Sequence, residues 1–236
     1  MKPIFKSTYS IGKSILTLEE IVDISKENNL KEVILVEDNL TSFMKAFHLC
    51  QKNNIDLIYG LRITMSNENL DDNSDHKVVI FALDDRGCVL LNKIYSLAFV
   101  ENGGKLRYKD LKKLWDDKSL SFVVPFYDSF IHQNNLFLKN CIPELEGFDP
   151  KFWIENNNLP YDKLIEKKVL EFADTVYDIR FVKSIYYKNK EDVEALQTYK
   201  ILTNRSFGRQ ATLSNPNLNH FSSDEFCWES YLEKTA

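Results

Sequence analysis

The sequence predicts an α/β fold in which helices connect parallel strands, arranged either as a barrel or as an open doubly wound sheet. Short, almost wholly apolar runs, such as residues 32–36 and 56–60, are typical of strands that are buried on both faces. Segments with apolar residues at helical spacing lie between these runs. The two patterns alternate along most of the chain, as expected for parallel strands with helical crossovers.

The first predicted helix begins with a capping box. Thr17 stands three residues before Glu20, so each side chain can accept a hydrogen bond from the other residue's backbone N–H. We predict that this helix continues to residue 28 or 29. Its predicted inward-facing residues are Leu18, Ile21, Val22 and Ile24.

The second predicted helix follows the strand at residues 32–36, and Asn39 is its predicted N-cap. An apolar stripe at helical spacing forms its predicted inner face. The residues of this stripe are Phe43, Met44, Phe47 and Cys50.

After residue 60 the alternation continues, interrupted by an acidic, Asn-rich loop at residues 67–75 and a turn at residues 101–104. It stops near residue 204, and a further turn is predicted at residues 215–217, before a short final segment. The remaining predicted strands are residues 77–83, 122–125, 152–155 and 181–186, and the remaining predicted helices are residues 88–100, 110–115, 164–172 and 191–202.

Composition excludes several classes of protein. The 236 residues carry a net charge of -5, which argues against a chain-wide electrostatic hold on nucleic acid. The four cysteines are scattered and form no CxxC pair, so they indicate reduced thiols rather than a zinc knuckle or a disulfide framework. No signal-peptide pattern occurs, and no apolar run approaches the roughly 20 residues that span a bilayer. We therefore predict a cytoplasmic protein without a membrane partner.

Generic catalytic motifs are missing from the sequence: it has no Gly-rich phosphate loop, no GxSxG and no HExxH. The histidines His48, His76, His132 and His220 are isolated from one another. His48 lies on a predicted helix face, His76 opens a strand, and the other two have polar surroundings. We predict structural or solvent-exposed roles for all four, because no pair has the spacing of zinc ligands.

Glu37 and Asp38 differ from the other acidic pairs because they follow a buried strand and precede a helix. In α/β folds that position is the carboxyl end of a strand, where functional sites are built. Two interpretations remain open: the pair lines a functional cleft, or it belongs to a solvated loop.

The stretch Lys-Ser-Thr-Tyr-Ser at residues 6–10, followed by a capped helix, resembles the opening of the PHP (polymerase and histidinol phosphatase) domain. The closest version is the one in the alpha subunit of bacterial DNA polymerase III. That opening reads His-x-His-Ser-x-Tyr-Ser and is followed by Asp-Gly. Aligning the Ser, Tyr and Ser places Ile4 and Lys6 on the two histidines and Lys13 on the aspartate.

The next two segments, residues 36–40 and 54–60, are similar to the family's Thr-Asp-His-Gly-Asn-Leu and Gly-Ile-Lys-Pro-Ile-Ile-Gly. The stretch before Asn39 is one residue short, so Glu37 and Asp38 have no fixed place on the family's Asp and His. Arg62 stands where the family has a bridging glutamate.

The resemblance continues along the chain and spans roughly residues 4–230. Asparagines occupy residues 156–158, where the family has a further ligand histidine. Ser184 and Tyr186 replace the Asp and His of an Asn-Asp-Val-His-Tyr segment. Residues 213–217 look like the family's exit toward the polymerase palm.

The resemblance implies a distorted seven-stranded β/α barrel in residues 1–204, with residues 205–236 as an extension toward the palm. Active members hold divalent metals with His and carboxylate ligands and hydrolyse phosphoesters. Ile4 offers no donor, and Lys6 and Arg62 bring positive charge. The resemblance therefore implies a catalytically silent scaffold in DNA replication, with no catalytic residue, no metal and no cofactor. The partner it implies is the rest of a replicative polymerase or another replisome protein, with DNA contact only indirect.

Two alternatives stay open. One is a metal-dependent phosphoesterase or 3'–5' proofreading exonuclease with a rearranged site, which requires ligands such as Glu37, Asp38, His48 and His76 to converge. The other is a stand-alone module that binds phosphate or nucleic acid through Lys6, Lys13 and Arg62. These three cations are also candidates to pair with Glu37 and Asp38 across the barrel mouth, because buried charges require partners. A merely solvated mouth is the remaining interpretation.

Overall fold

Seven strands close into a barrel in the computed structural model, which describes residues 1–68, 70, 72–203 and 223–235. The strands are β1 (Lys2–Phe5), β2 (Glu32–Glu37), β3 (Asp56–Ser66), β4 (His76–Ala82), β5 (Lys105–Arg107), β6 (Leu120–Val124), β7 (Lys151–Ile154) and β8 (Asp178–Ile185). The order around the barrel is β1-β2-β3-β4-β6-β7-β8, and β8 pairs with β1. The eighth strand, β5, pairs with the end of β3 outside the ring. The predicted seven-stranded β/α barrel is confirmed.

Helices lie between most consecutive strands and pack on the outside of the barrel. The described α-helices are α1 (Leu18–Glu27), α2 (Phe43–Lys52), α3 (Asp85–Ser96), α4 (Tyr108–Leu114), α5 (Phe130–Leu136), α6 (Asp162–Ala173), α7 (Val193–Thr203) and α8 (Trp228–Thr235). A π-helical turn, Leu97–Glu101, continues α3.

The prediction that neighbouring strands are all parallel is wrong for β4. This strand runs antiparallel to both of its neighbours, β3 and β6. Only the loop at residues 67–75 joins β3 to β4, and a parallel connection needs a crossover of a dozen or more residues. The direction of β4 matters for the site, because it brings the start of β4 to the end of the barrel where the parallel strands finish.

Alternate side chains of each strand enter two separate apolar cores. The inner core fills the barrel and consists of Ile4, Ile34, Val36, Val79, Phe81, Val123, Trp153 and Val182. The outer core lies between the strands and helices and contains buried residues such as Phe5 and Leu35. Burial on both faces explains why the strands appear in the sequence as almost wholly apolar runs. Gly60 is part of this packing, since a Cβ there would lie 2.6 Å from the Phe81 ring.

The first helix has the predicted start and the predicted buried face. Thr17 is the N-cap, its hydroxyl accepts from the N–H of Glu20, and the Glu20 carboxylate accepts from the N–H of Thr17. Helix α1 ends at Glu27, close to the predicted end. All four predicted inward-facing residues are buried: Leu18, Ile21, Val22 and Ile24.

This capping box leads to a stability prediction. We expect Thr17→Ala to lower the free energy of unfolding by about 1 kcal/mol, because the N–H of Glu20 loses its acceptor. The measurement is urea-induced unfolding followed by circular dichroism. Thr17→Ser is the matched control, since it keeps the hydroxyl, and equal loss in both variants would contradict the assignment.

The second helix differs from the prediction at its start and on its buried face. It begins after Ser42, whereas the side-chain oxygen of Asn39 accepts from the N–H of Thr41. Met44 and Phe47 are 58% and 42% exposed. The buried residues of the helix are Ala46 and Cys50. Apolar side chains cover more than one face of this helix, so spacing alone could not identify the buried one.

Several other predictions shift or fail. Helix α3 starts earlier than predicted because the Asp84 side chain caps it by accepting from the N–H of Gly87. His132 lies buried among aromatic rings rather than in polar surroundings. Strands β1 and β5 and helix α5 were not predicted. The final segment was predicted, but not that it forms helix α8. Each is short, and the sequence of α5, Phe-Ile-His-Gln-Asn-Asn-Leu, shows no strong apolar period.

Residues 223–235 pack against the carboxyl end of β8 and the start of the chain. Tyr187 forms an isolated parallel bridge with Cys227. The Trp228 ring stacks on Phe5 with 5.7 Å between centroids.

The predicted turn at residues 215–217 and His220 lie outside the described residues, and the domain boundary near residue 204 stays a prediction. All four cysteines are free thiols. No helix in the described part of the chain is long and apolar enough to cross a membrane.

Candidate functional site

The candidate site is the mouth of the barrel at the carboxyl ends of its parallel strands. Lys6 follows β1 directly, Asp38 follows β2 and Glu155 follows β7. Arg62 lies on β3, and Lys77 is the second residue of β4, which reaches the mouth because that strand is antiparallel. Fold geometry therefore collects cationic and acidic side chains from distant parts of the sequence in one layer.

Lys6 is buried and forms an ion pair with Asp38, whose side chain is 27% exposed. The Lys6 Nζ lies 2.9 Å from Asp38 Oδ1, and Lys6 is 5% exposed. Burial lowers the pKa of Lys6, and the charge of Asp38 opposes that shift. Burial by itself would raise the pKa of Asp38, but the charges of Lys6 and Arg62 outweigh it and lower that pKa to about 2. Asp38 is therefore ionised at neutral pH.

Arg62 joins this pair to a second carboxylate. One guanidinium nitrogen lies 2.5 Å from Asp128 Oδ2, and the other lies 3.9 Å from Asp38 Oδ1. The charges of Asp128 and Asp38 outweigh burial and raise the pKa of Arg62. Lys6, Asp38, Arg62 and Asp128, which we call the mouth quartet, thus alternate in charge. Asp128 was not predicted as a site residue, although its position after β6 is the same kind of signal that singled out Asp38.

Glu37 takes no part in the quartet. It is fully buried, and one of its oxygens accepts from the Ser7 N–H at 3.0 Å and from the Ser7 hydroxyl. The other oxygen accepts from the Ser10 hydroxyl. Burial raises the pKa of Glu37, and Lys6 and the two serines oppose that shift. The predicted pairing of cations across the mouth is therefore found for Asp38, whereas serines bind Glu37.

A second buried carboxylate, Glu155, borders the mouth from β7. It accepts from the N–H and the hydroxyl of Ser184, each at 2.9 Å, and from the Asn157 amide at 3.1 Å. Burial raises the pKa of Glu155. Sequence analysis placed Ser184 at the site and missed Glu155, which was predicted as the last residue of the strand at 152–155 and in the structure follows β7. Tyr186 lies beside these groups, and burial raises the pKa of its phenol.

Ile4 and Lys13 differ in exposure: Ile4 is buried below the mouth and Lys13 faces solvent. Ile4 is 5% exposed and belongs to the inner core beneath the mouth. Lys13 is exposed in the turns that follow β1, and among the described residues it forms no ion pair with Glu37 or Asp38. A cavity of about 30 Å³ lies at the mouth, and its lining includes Ile4, Lys6, Arg62 and Glu155. That space holds about two water molecules.

A sequence model of the PHP domain matches residues 5–234. The chain belongs to the PHP domain family. It is 24% identical to the DNA polymerase III subunit alpha of Aquifex aeolicus (strain VF5) over 257 residues, which cover 96% of this chain and 22% of the relative. It is 30% identical to the DNA polymerase III subunit alpha of Mycoplasma genitalium over 88 residues, covering 37% of this chain and 10% of that protein. The chain thus spans about a fifth of the length of the Aquifex relative.

Two solved structures are weakly similar to this PHP domain. A putative metal-dependent phosphoesterase from Bifidobacterium adolescentis has a TM-score of 0.29 and 12% identity, covering 42% of this chain and 35% of its own. An amidohydrolase from Chromobacterium violaceum, with bound sulfate and no metal, has a TM-score of 0.33 and 13% identity, covering 84% and 81%. The family assignment rests on the match to residues 5–234.

The side chains at the mouth do not fit the metals of an active PHP domain. Ammonium and guanidinium groups only donate hydrogen bonds, so Lys6 and Arg62 cannot act as ligands in their charged forms. Asp38 already binds both cations, and both oxygens of Glu37 are occupied by serines. Within residues 1–68, 70, 72–203 and 223–235, no three His, Cys, Asp or Glu side chains come together as a metal-binding group.

The candidate ligands of a rearranged metal site do not converge either. His48 lies on the exposed side of α2. The ring nitrogens of His76 lie 2.9 Å from the Ser74 carbonyl and 2.8 Å from the Tyr108 hydroxyl, away from the quartet. The prediction that some mouth residues are vestiges of a metal site remains a prediction. Those residues are Ile4, Lys6, Lys13, Glu37, Asp38, Arg62, Ser184 and Tyr186.

Proposed function

We propose that this chain is a catalytically silent PHP domain that works as a structural scaffold in a DNA polymerase III alpha-like protein. The observation that carries the proposal is the mouth quartet, in which two cations and two carboxylates neutralise each other at the carboxyl ends of the strands. A cavity of only about 30 Å³ is lined by two of its members, Lys6 and Arg62. The site is thus filled by its own side chains rather than shaped for a phosphoester.

Electrostatics favour the quartet over a bound metal. Two like unit charges 4 Å apart repel by about 4 kcal/mol at the effective dielectric of a protein surface, and a divalent ion doubles that cost. Both Lys6 and Arg62 would oppose such an ion. Freeing Asp38 to ligate it would also leave Lys6 buried without its partner. Loss of hydrolysis follows from this balance.

The replication context is supported by the relatives. The alignment to the Aquifex polymerase subunit extends over 96% of this chain, so nearly all of the chain corresponds to part of that protein. We propose the cytoplasm as its location and the remainder of a replicative polymerase, or another replisome protein, as its partner. Any contact with DNA is then indirect, and residues 205–236 form the connection toward the polymerase part.

The test is a calorimetric titration of the purified chain with Mn²⁺ and Zn²⁺, combined with a phosphodiester hydrolysis assay on the same sample. We expect no saturable binding and no turnover, because the quartet leaves no ligand set. Stoichiometric binding with turnover that is lost in Asp38→Ala would overturn the proposal. Asp178→Ala is the matched control, because Asp178 pairs with Arg180 at the surface, away from the mouth.

A further inference from the structure

We infer that residues 223–235 form a strap that holds one wall of the barrel mouth, so that release of the strap opens the mouth. This role goes beyond the scaffold function and does not depend on the loss of hydrolysis. The strap reaches the mouth through three residues that line its cavity: Tyr127, Glu155 and Tyr186.

The first connection between strap and mouth is aromatic. Phe226 is 1% exposed, and its ring stacks on Tyr186 with 5.4 Å between centroids and an interplanar angle of 6°. The same ring lies 5.7 Å from the centroid of Tyr127. The Tyr186 N–H also donates to the Phe226 carbonyl at 2.9 Å. Displacing Phe226 would therefore remove packing from two side chains of the cavity wall at once.

The second connection is a set of hydrogen bonds to the loop that follows β7. Each residue of this loop at positions 156–158 bonds to the strap, through a backbone carbonyl or a side-chain amide. The three pairs are Ser223 with the Asn157 carbonyl, Glu225 with the Asn158 amide and Lys234 with the Asn156 carbonyl. Bonds at three successive positions fix the path of the loop.

The loop carries this support into the mouth through Asn157. Its side-chain amide donates to Glu155 Oε2 at 3.1 Å and to the Tyr127 hydroxyl at 3.0 Å. Its N–H donates to Asp162 Oδ2 at 2.8 Å. Asn157, Glu155 and Asp162 are all buried, so a shift of the loop would take donors away from two buried carboxylates. The arrangement of these groups therefore depends on the docked strap.

The strap has the properties of an element that opens locally. Helix α8 has eight residues, whereas an isolated helix needs roughly 12 to 15 to be stable in water, so it stays helical only while it is docked. Its residues 232–235 are exposed, and the buried part of the strap lies mainly at residues 225–228. An element with so few buried side chains opens at a lower free energy than the barrel core.

The experiment measures amide hydrogen exchange by NMR in the ¹⁵N-labelled full chain. The Trp228 N–H, which donates to the Tyr187 carbonyl at 3.1 Å, reports on the strap. The Ser184 N–H, which donates to Glu155 Oε2 at 2.9 Å, reports on the mouth. The reference is the Leu83 N–H, which donates to the Ser119 carbonyl at 2.9 Å and follows the end of β4 opposite the mouth.

Two test variants weaken the strap in different ways. Phe226→Leu keeps an apolar side chain and removes the ring that stacks on Tyr186. Ser223→Ala removes only the hydroxyl that binds the loop, and it keeps the test valid if the first variant impairs folding. Glu233→Ala is the matched control, because its carboxylate pairs with Lys190 at the surface of the same helix.

We expect Phe226→Leu to speed the exchange of Trp228 and Ser184 together, at least about tenfold, because two aromatic contacts are lost. Ser223→Ala should speed Ser184 about fivefold, as loss of one hydrogen bond predicts. Leu83 should keep its rate in both variants, and Glu233→Ala should leave all three amides unchanged.

Three results would overturn the inference: faster exchange in the strap alone, no faster exchange in either test variant, or equal acceleration at Leu83. The first would show that the mouth stays closed when the strap opens, and the last would show global unfolding. Each leaves the scaffold proposal intact, whereas metal-dependent turnover would overturn that proposal and leave the strap in place.

Discussion

Replacing Asp38 by alanine is expected to destabilise the protein by about 3 kcal/mol, the low end of the cost of removing one partner from a buried ion pair, because Asp38 itself is partly exposed. Lys6 is 5% exposed and would lose the carboxylate that compensates its burial. Arg62 would keep Asp128. Urea-induced unfolding at neutral pH measures the loss.

A double-mutant cycle separates the pair from the packing around it. Lys6→Met/Asp38→Ala should recover most of the lost stability, because it removes the unpaired charge and keeps an apolar side chain of similar length. If the double variant is no more stable than Asp38→Ala, the buried charge of Lys6 is not the cause.

The ion pair of Lys6 and Asp38 also predicts that stability depends on pH. Since the pKa of Asp38 is lowered to about 2, its contribution is present above the ordinary pKa of an aspartate and is lost as the pH falls toward 2.

Replacing Glu225 by alanine is expected to cost about 3 kcal/mol and to loosen residues 223–235 from the barrel. Lys183 is fully buried, and its Nζ lies 3.2 Å from Glu225 Oε2. The same carboxylate binds Lys234 at 2.7 Å and accepts from the Ser230 hydroxyl. One substitution thus removes a partner from Ser230 and Lys234 on α8, from Lys183 on β8 and from Asn158. Urea-induced unfolding and hydrogen exchange of residues 223–235 measure the two effects.

Glu233→Ala is the matched control on the same helix. Its carboxylate pairs with Lys190 at 2.5 Å, with both side chains partly exposed, and surface pairs contribute about 0 to 1 kcal/mol. We expect little change in stability or exchange. Equal effects of Glu225→Ala and Glu233→Ala would show that the buried charge of Lys183 does not hold this segment.

Much of the barrel could be predicted because its strands are largely apolar runs, and some helices, such as α1 and α3, are capped by nearby side chains. The capping box at Thr17 depends on residues three positions apart, so the sequence contains all of it. The direction of β4 follows from the length of one loop, because residues 67–75 are too few for a parallel crossover. The exposed Met44 and Phe47 show the limit of spacing arguments, because packing selected the small residues Ala46 and Cys50 instead.

The sequence identified several charged residues of the site, but it did not show which of them form ion pairs with each other. Position after a strand identified Asp38, and the substituted motif identified Lys6 and Arg62. Which carboxylate meets which cation depends on side-chain geometry across the mouth, where residues 66 positions apart, Arg62 and Asp128, come within 2.5 Å. The role of Ser7 and Ser10 also depends on side-chain geometry across the mouth. In the sequence they belong to a family motif, and in the structure their hydroxyls donate hydrogen bonds to the Glu37 carboxylate.

The central claim is that ion-paired cations occupy the barrel mouth in place of metals. The most direct measurement is a Mn²⁺ titration of ¹⁵N-arginine-labelled protein, following the Arg62 Nε–H signal by NMR, with the exposed Arg180 as internal reference. We predict that stoichiometric Mn²⁺ leaves the Arg62 signal as sharp as that of Arg180. Selective broadening of Arg62 at one equivalent would place a metal in the mouth and contradict the account.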